Sequence, residues 1–106
     1  MMFRKPTTKK DKKLLEAIRK LPCSACGKVG PSDASHIRSR GAGGPDTAWN
    51  VWPHCRDCHM EWHRIGWQTF VIRWPVFGAK LVMAGWVLDP DLLGLWHPEL
   101  GVKDDA

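Results

Sequence analysis

The chain contains no stretch that approaches the roughly 18 uncharged apolar residues of a membrane span, and its amino terminus has no apolar signal core. A membrane protein and a membrane partner are therefore not expected, and the expected location is the cytoplasm. There is no internal repeat and no low-complexity segment beyond a basic arm, which excludes solenoids and arrays. A glycine-rich nucleotide loop is missing, and so is a Ser/His/Asp arrangement, which removes two large enzyme classes. Cysteine is scarce, at four residues, but its placement is informative.

At 106 residues, with 43% hydrophobic and 25% charged residues, the chain fits one soluble domain with a small core in need of a staple. The expected organisation is a flexible arm over 1–10, one domain over 11–101 and a tail over 102–106. The net charge of +5 is uneven. Residues 1–20 hold eight of the sixteen Lys and Arg against only Asp11 and Glu16, so the arm is basic and the remainder close to neutral. Such an arm suits phosphate backbones, where each neutralised phosphate releases counterions, and it equally suits solubility.

Leu14, Leu15, Ile18 and Leu21 recur at helical spacing over 11–21, and Pro22 ends that helix. DASHIR (33–38) reads as a short strand, a Gly/Pro loop follows, and AWNVWP (48–53) reads as the returning strand. Cys55 to Ile65 has helical spacing, with Gly66 placed to end it. Beyond Trp67, the spacing of Phe70, Val71, Trp74, Leu81, Val82 and Trp86 favours short helices separated at Pro75 and Pro90. The expected class is α+β, a zinc-stapled ββα motif flanked by an amino-terminal helix and carboxy-terminal short helices.

The cysteines form two x2 pairs, Cys23 with Cys26 and Cys55 with Cys58, separated by 28 residues. Two knuckles supply four thiolates for a tetrahedral structural Zn2+. Two disulfides are the competing reading, and they suit a reducing cytoplasm poorly. His36 and Asn50 lie between the knuckles, and His59 and His63 follow them. The last two are spaced i, i+4, so on a helix both imidazoles project from one face and can grip one cation. Four cysteines already complete a tetrahedron, which leaves these histidines free for other work. His54 and His97 read as surface or packing residues.

His36, Asn50 and His59, in this order and flanked by cysteine knuckles, resemble the motif of the HNH (ββα-metal) endonucleases, in particular zinc-bearing members. The strings CSACG, DASHIR and AWNVWPHCRDCHMEWHRIGW are also similar to phage and prophage nucleases, including ones that depend on the host recombinase. The likeness covers about residues 22–67. It implies a DNA endonuclease in which His36 is the general base, Asn50 holds the hairpin and positions that base, and His59 and His63 bind a catalytic Mg2+, Mn2+, Ni2+ or Zn2+. It implies DNA as partner, with a recombinase filament or phage protein complex as further candidates. Many members carry Asp or His immediately before the base. Here that position is Ser35, so the third ligand stays open between Asp33 and Ser35.

A neutral imidazole accepts a proton from water near neutral pH, and a cation beside it can polarise a phosphodiester. Arg38, Arg40, Arg56 and Arg64 are candidates for phosphate contact, with solvated charge as the alternative. The seven tryptophans serve core packing or stacking on unpaired bases. A zinc-knuckle module that binds nucleic acid without cutting it is the rival reading, and a nuclease subunit active only within a larger complex is a third.

Overall fold

The structure is a computed structural model that describes residues 9–89 and 94–100. The expected tail and most of the expected arm fall outside those residues. Lys9 does not behave as loose arm: its carbonyl accepts the N–H of Asp46 at 2.9 Å.

Helix α1 (Lys12–Arg19) starts at Asp11, whose carboxylate accepts the N–H of Leu14 at 3.0 Å and so caps one of the free donors of the first turn. Leu15 and Ile18 are buried against Val51 and Ala34. Strands β1 (Asp33–His36) and β2 (Val51–His54) pair antiparallel, with Asp33 opposite His54 and His36 opposite Val51. Pro53 is tolerated because the sheet has only two strands, so the N–H it lacks is owed to no second neighbour.

Helix α2 (Arg56–Arg73) begins at Cys55, whose Sγ accepts the N–H of Cys58. Gly66 breaks it, with φ 82° and ψ 165°, a conformation that strains any other residue. The chain then turns helical again to Arg73, so the stop expected at Gly66 is a kink between two helical arms. Pro75 opens α3 (Pro75–Met83) at the position where a missing N–H costs nothing.

The carboxy-terminal third departs from the expectation of short helices alone. After α3 come β3 (Val87–Asp89) and β4 (Gly94–Trp96), a second antiparallel hairpin with Val87 opposite Trp96. Apolar spacing over so few residues does not distinguish three-residue strands from helical turns. Among the described residues the architecture is α+β, with three α-helices and two small sheets. No helix among the described residues is long and apolar enough to cross a membrane.

The main core joins Phe70, Phe77, Leu81, Trp62 and Trp86 to Cys23, Cys55 and Cys58. Phe70 and Phe77 meet edge to face at 5.6 Å between ring centres. Each such ring contributes about 1.5–3 kcal/mol through burial. The aromatic core therefore packs α2 and α3 against the cysteine knuckles, and α2 carries His59 and His63 beside the β1 residues Asp33 and His36.

Candidate metal centres and active site

The four cysteine sulfurs lie within 4.8 Å of one another, and Cys26 Sγ is 3.8 Å from Cys55 Sγ. Zinc–sulfur bonds of about 2.3 Å set tetrahedral edges of roughly 3.8 Å, so the cluster can hold a structural cation such as zinc. Backbone amides of Cys26 and Cys58 each point at the first sulfur of their own knuckle, at 3.5 Å. Burial pushes the Cys23 thiol up, but N–H groups of Cys26, Cys55 and Ala25 outweigh it and bring the thiol down to about 7. Burial and the neighbouring thiols push Cys58 up. Without a cation these sulfurs cannot all ionise side by side, and a cation removes that conflict.

The second cluster is built around the hairpin. His59 Nε2 stands 3.2 Å from His63 Nε2, one helical turn apart on α2. A cation about 2.1 Å from each nitrogen would see them at roughly 100°, close to a tetrahedral angle. Asp33 Oδ2 lies 3.0 Å from the opposite nitrogen, His59 Nδ1, and Arg56 clasps the same carboxylate at 2.9 and 3.3 Å. Burial works against ionisation of Asp33, but the bonds from His59 and Arg56 prevail and hold its carboxyl below the usual range. An ionised carboxylate only accepts, so His59 donates from Nδ1, and in the neutral ring the lone pair on Nε2 faces His63.

His36 shows the same arrangement. Its Nε2 is 2.7 Å from Asp46 Oδ1, and Asp46 is almost fully buried. Arg40 Nη2 and the N–H of Asp11 reach Asp46 Oδ2 at 2.8 and 2.9 Å. Burial raises the Asp46 carboxyl, and the bonds from His36, Asp11 and Arg40 more than offset it, so it lies below the usual range. His36 therefore donates from Nε2, which in the neutral ring leaves the acceptor lone pair on Nδ1.

Asn50 is fully buried and spends its amide on the hairpin loop. Its Oδ1 accepts the N–H of Arg38 at 2.8 Å, while Nδ2 donates to the carbonyls of Arg38 and Pro45 at 3.1 and 2.8 Å. Gly44 makes room for this: a Cβ there would fall 1.7 Å from the Arg38 carbonyl oxygen and 2.9 Å from Asn50 Nδ2. The loop that carries Asp46 is thus tied to the end of β1 just beyond His36.

His36, His59 and His63 line one cleft of ≈ 390 Å³, with Leu15, Arg19 and Arg40 among its other walls. It adjoins a second cleft beside Asp33 and Arg56, and a third formed by Arg38 with Trp62, Trp67 and Trp86. No protein-family model, curated protein or solved structure matches the chain.

Of the two residues left open as a third ligand, Asp33 sits on the outer nitrogen of His59 and orients that ring. Ser35 is fully buried and does not line the three clefts. Among the described residues only the cysteines form a potential metal cluster of three or more such ligand groups, and His59 and His63 stand as a pair of imidazoles with no third such group beside them. Arg38 donates to the Leu95 carbonyl at 3.2 Å, and Arg64 lies 4.0 Å from Glu61 and does not line the three clefts. His97 stacks on Trp49, and His54 is fully buried among Phe70, Phe77 and Trp62. Burial, reinforced by His59 and His63, pushes His54 down to about 3, so it stays neutral.

Nothing in the motif spacing marks Asp46. It follows Gly44 and Pro45, where Asp is an ordinary turn residue. The available signal was weaker: a carboxylate inside the loop that joins two strands, one of which ends in a histidine.

Proposed function

We propose that the protein is a metal-dependent endonuclease of the HNH kind, hydrolysing DNA phosphodiester bonds in the cleft between the β1–β2 hairpin and α2. The observation that carries this reading is the convergence of His36, His59 and His63 on one cleft, with a carboxylate on the outer nitrogen of His36 and of His59. Carboxylates so placed fix the tautomer and the ring of a base and of a ligand.

In this reading His36 Nδ1 takes a proton from water as the oxygen attacks phosphorus and the bond to the 3′ oxygen breaks, leaving a 5′-phosphate and, once the departing oxygen has taken a proton from solvent, a 3′-hydroxyl. His59 and His63 would hold Mg2+, Mn2+, Ni2+ or Zn2+ through their Nε2 atoms. When bound, the cation supplies Lewis-acid charge to the phosphate. Asp33 and Arg56 keep His59 turned towards His63. Asp46 holds His36 and balances the charge that forms on its ring. Asn50 keeps the loop closed behind both.

The test is binding of Mn2+ to zinc-loaded protein, followed by its paramagnetic resonance, together with nicking of plasmid DNA. Wild type should bind one Mn2+ beyond the zinc and nick only when it is present, and His59→Ala and His63→Ala should lose both. Binding unaffected by either substitution contradicts the assignment of the ligands.

A second reading has one observation in its favour: two histidines make a poor cage for a cation, so a partner or the DNA itself would complete the centre. Here the protein is a nuclease subunit that cuts only within a larger assembly, such as a recombinase filament or a phage complex. Weak Mn2+ binding by the free protein that tightens when DNA or the filament is added would favour it. A zinc-knuckle module that only binds nucleic acid has no use for the Asp46–His36 pair.

A further inference from the structure

The arginines around the clefts differ in what they have left to offer. Arg56 is committed to Asp33, Arg40 to Asp46 and Arg38 to the Leu95 carbonyl, while Arg64 and Arg73 face Glu61. Arg19 stands apart. It lines both clefts that contain His59 and His63, it is exposed, and among the described residues its guanidinium has no hydrogen-bond or ion-pair partner.

Its position is nevertheless fixed. Arg19 closes α1, and its carbonyl accepts the N–H of Ser32 at 2.9 Å, immediately before β1. Leu15, one turn earlier on the same helical face, is buried and anchors the helix to Val51. The base of the side chain is held on the wall facing the histidine pair, and five N–H donors remain unspent at its tip. A planar fork of donors beside a cation-binding pair matches the nonbridging oxygens of a phosphodiester, which it can take two at a time.

We propose that Arg19 is the substrate clamp of this cleft, gripping the nucleic-acid backbone at the phosphate held against His59 and His63. The proposal rests on the nuclease reading of the cleft. It assigns to α1, outside the ββα motif, a part of the binding surface that the motif's own arginines have largely given to internal partners.

The experiment uses the full, zinc-loaded chain and a short DNA duplex, comparing wild type, Arg19→Ala, Arg19→Lys and the charge control Arg73→Ala, whose side chain does not line the three clefts. Affinity is followed against salt without added divalent cation, and cleavage is followed with Mn2+. Arg19→Ala should weaken binding roughly tenfold, reduce the salt slope by about 0.9, and raise KM more than it lowers kcat, with Mn2+ affinity and melting temperature unchanged. Arg19→Lys should keep the salt slope and recover only part of the affinity. Arg19→Ala indistinguishable from Arg73→Ala, in a wild type that binds and cuts, overturns the clamp and leaves the nuclease reading standing. A wild type that neither binds nor cuts DNA overturns both.

Discussion

Asp46 Oδ1 lies 2.7 Å from His36 Nε2, and the same buried carboxylate also engages Arg40 and the first N–H ahead of α1. One side chain in a loop thus fixes the candidate base and ties it to the amino-terminal helix. Replacing Asp46 with Asn keeps the shape but lets the amide present N–H to the ring, which destroys the tautomer preference. Asp46→Asn should lower kcat by roughly 10- to 100-fold with little change in KM for DNA. Steady-state kinetics on a nicked-product assay checks this.

The depressed carboxyl of Asp46 also gives a pH dependence with a definite sign. A group whose pKa is lower folded than unfolded contributes stability above its unfolded value, near 4, and loses it as pH falls through the folded value. The difference in melting temperature between wild type and Asp46→Asn should be largest at pH 6 and shrink steadily below pH 4. Thermal melts followed by circular dichroism at both pH values measure it. A constant difference would mean that the carboxylate charge is irrelevant to the fold.

Removing the structural cation should loosen the middle of the protein. Cys55 and Cys58 sit in the same core cluster as Phe70 and Phe77, so releasing four sulfurs frees the floor beneath α2. Elemental analysis should find one zinc per chain bound at the cysteines. A strong chelator, or Cys58→Ser, should abolish the near-ultraviolet dichroism of the buried tryptophans while leaving helical signal from α1 and α3. Retention of that signal in a zinc-free protein contradicts a stapling role.

Gly44 and Asn50 form one device and should fail together. Gly44→Ala must displace either the Arg38 carbonyl or the Asn50 amide, whereas Gly41→Ala meets nothing within 4 Å. Gly44→Ala and Asn50→Ala should each destabilise by about 2–4 kcal/mol and abolish cleavage, with Gly41→Ala close to wild type. Urea unfolding of the three variants provides the comparison.

Much of this was legible in the residues. Two x2 cysteine pairs implied one tetrahedral cluster, and the i, i+4 spacing of His59 and His63 put two imidazoles on one helical face. The apolar spacing over 11–21 and the stop at Pro22 placed α1 to within two residues, because periodicity and helix breaking are local properties. What escaped depended on tertiary distance. Asp46 reaches His36 across a loop whose closure is set by Asn50 and Gly44 together. Which nitrogen of His59 meets Asp33 follows from side-chain placement, which the sequence spacing does not carry. Arg19 gains its significance only because the motif's arginines are paired elsewhere. The β3–β4 hairpin was missed because Val87, Leu88, Leu95 and Trp96 are too few to reveal an alternating period.

The most direct test of the central claim is cleavage of supercoiled plasmid by zinc-loaded protein with and without Mn2+, run side by side with His36→Ala. Nicking or linearisation should require Mn2+ and fall at least 100-fold in His36→Ala while its melting temperature and Mn2+ affinity stay at wild-type values. Equal cutting by His36→Ala, or cutting by wild type stripped of every cation except the structural zinc, would contradict the assignment of His36 and the two-histidine centre as the catalytic machinery.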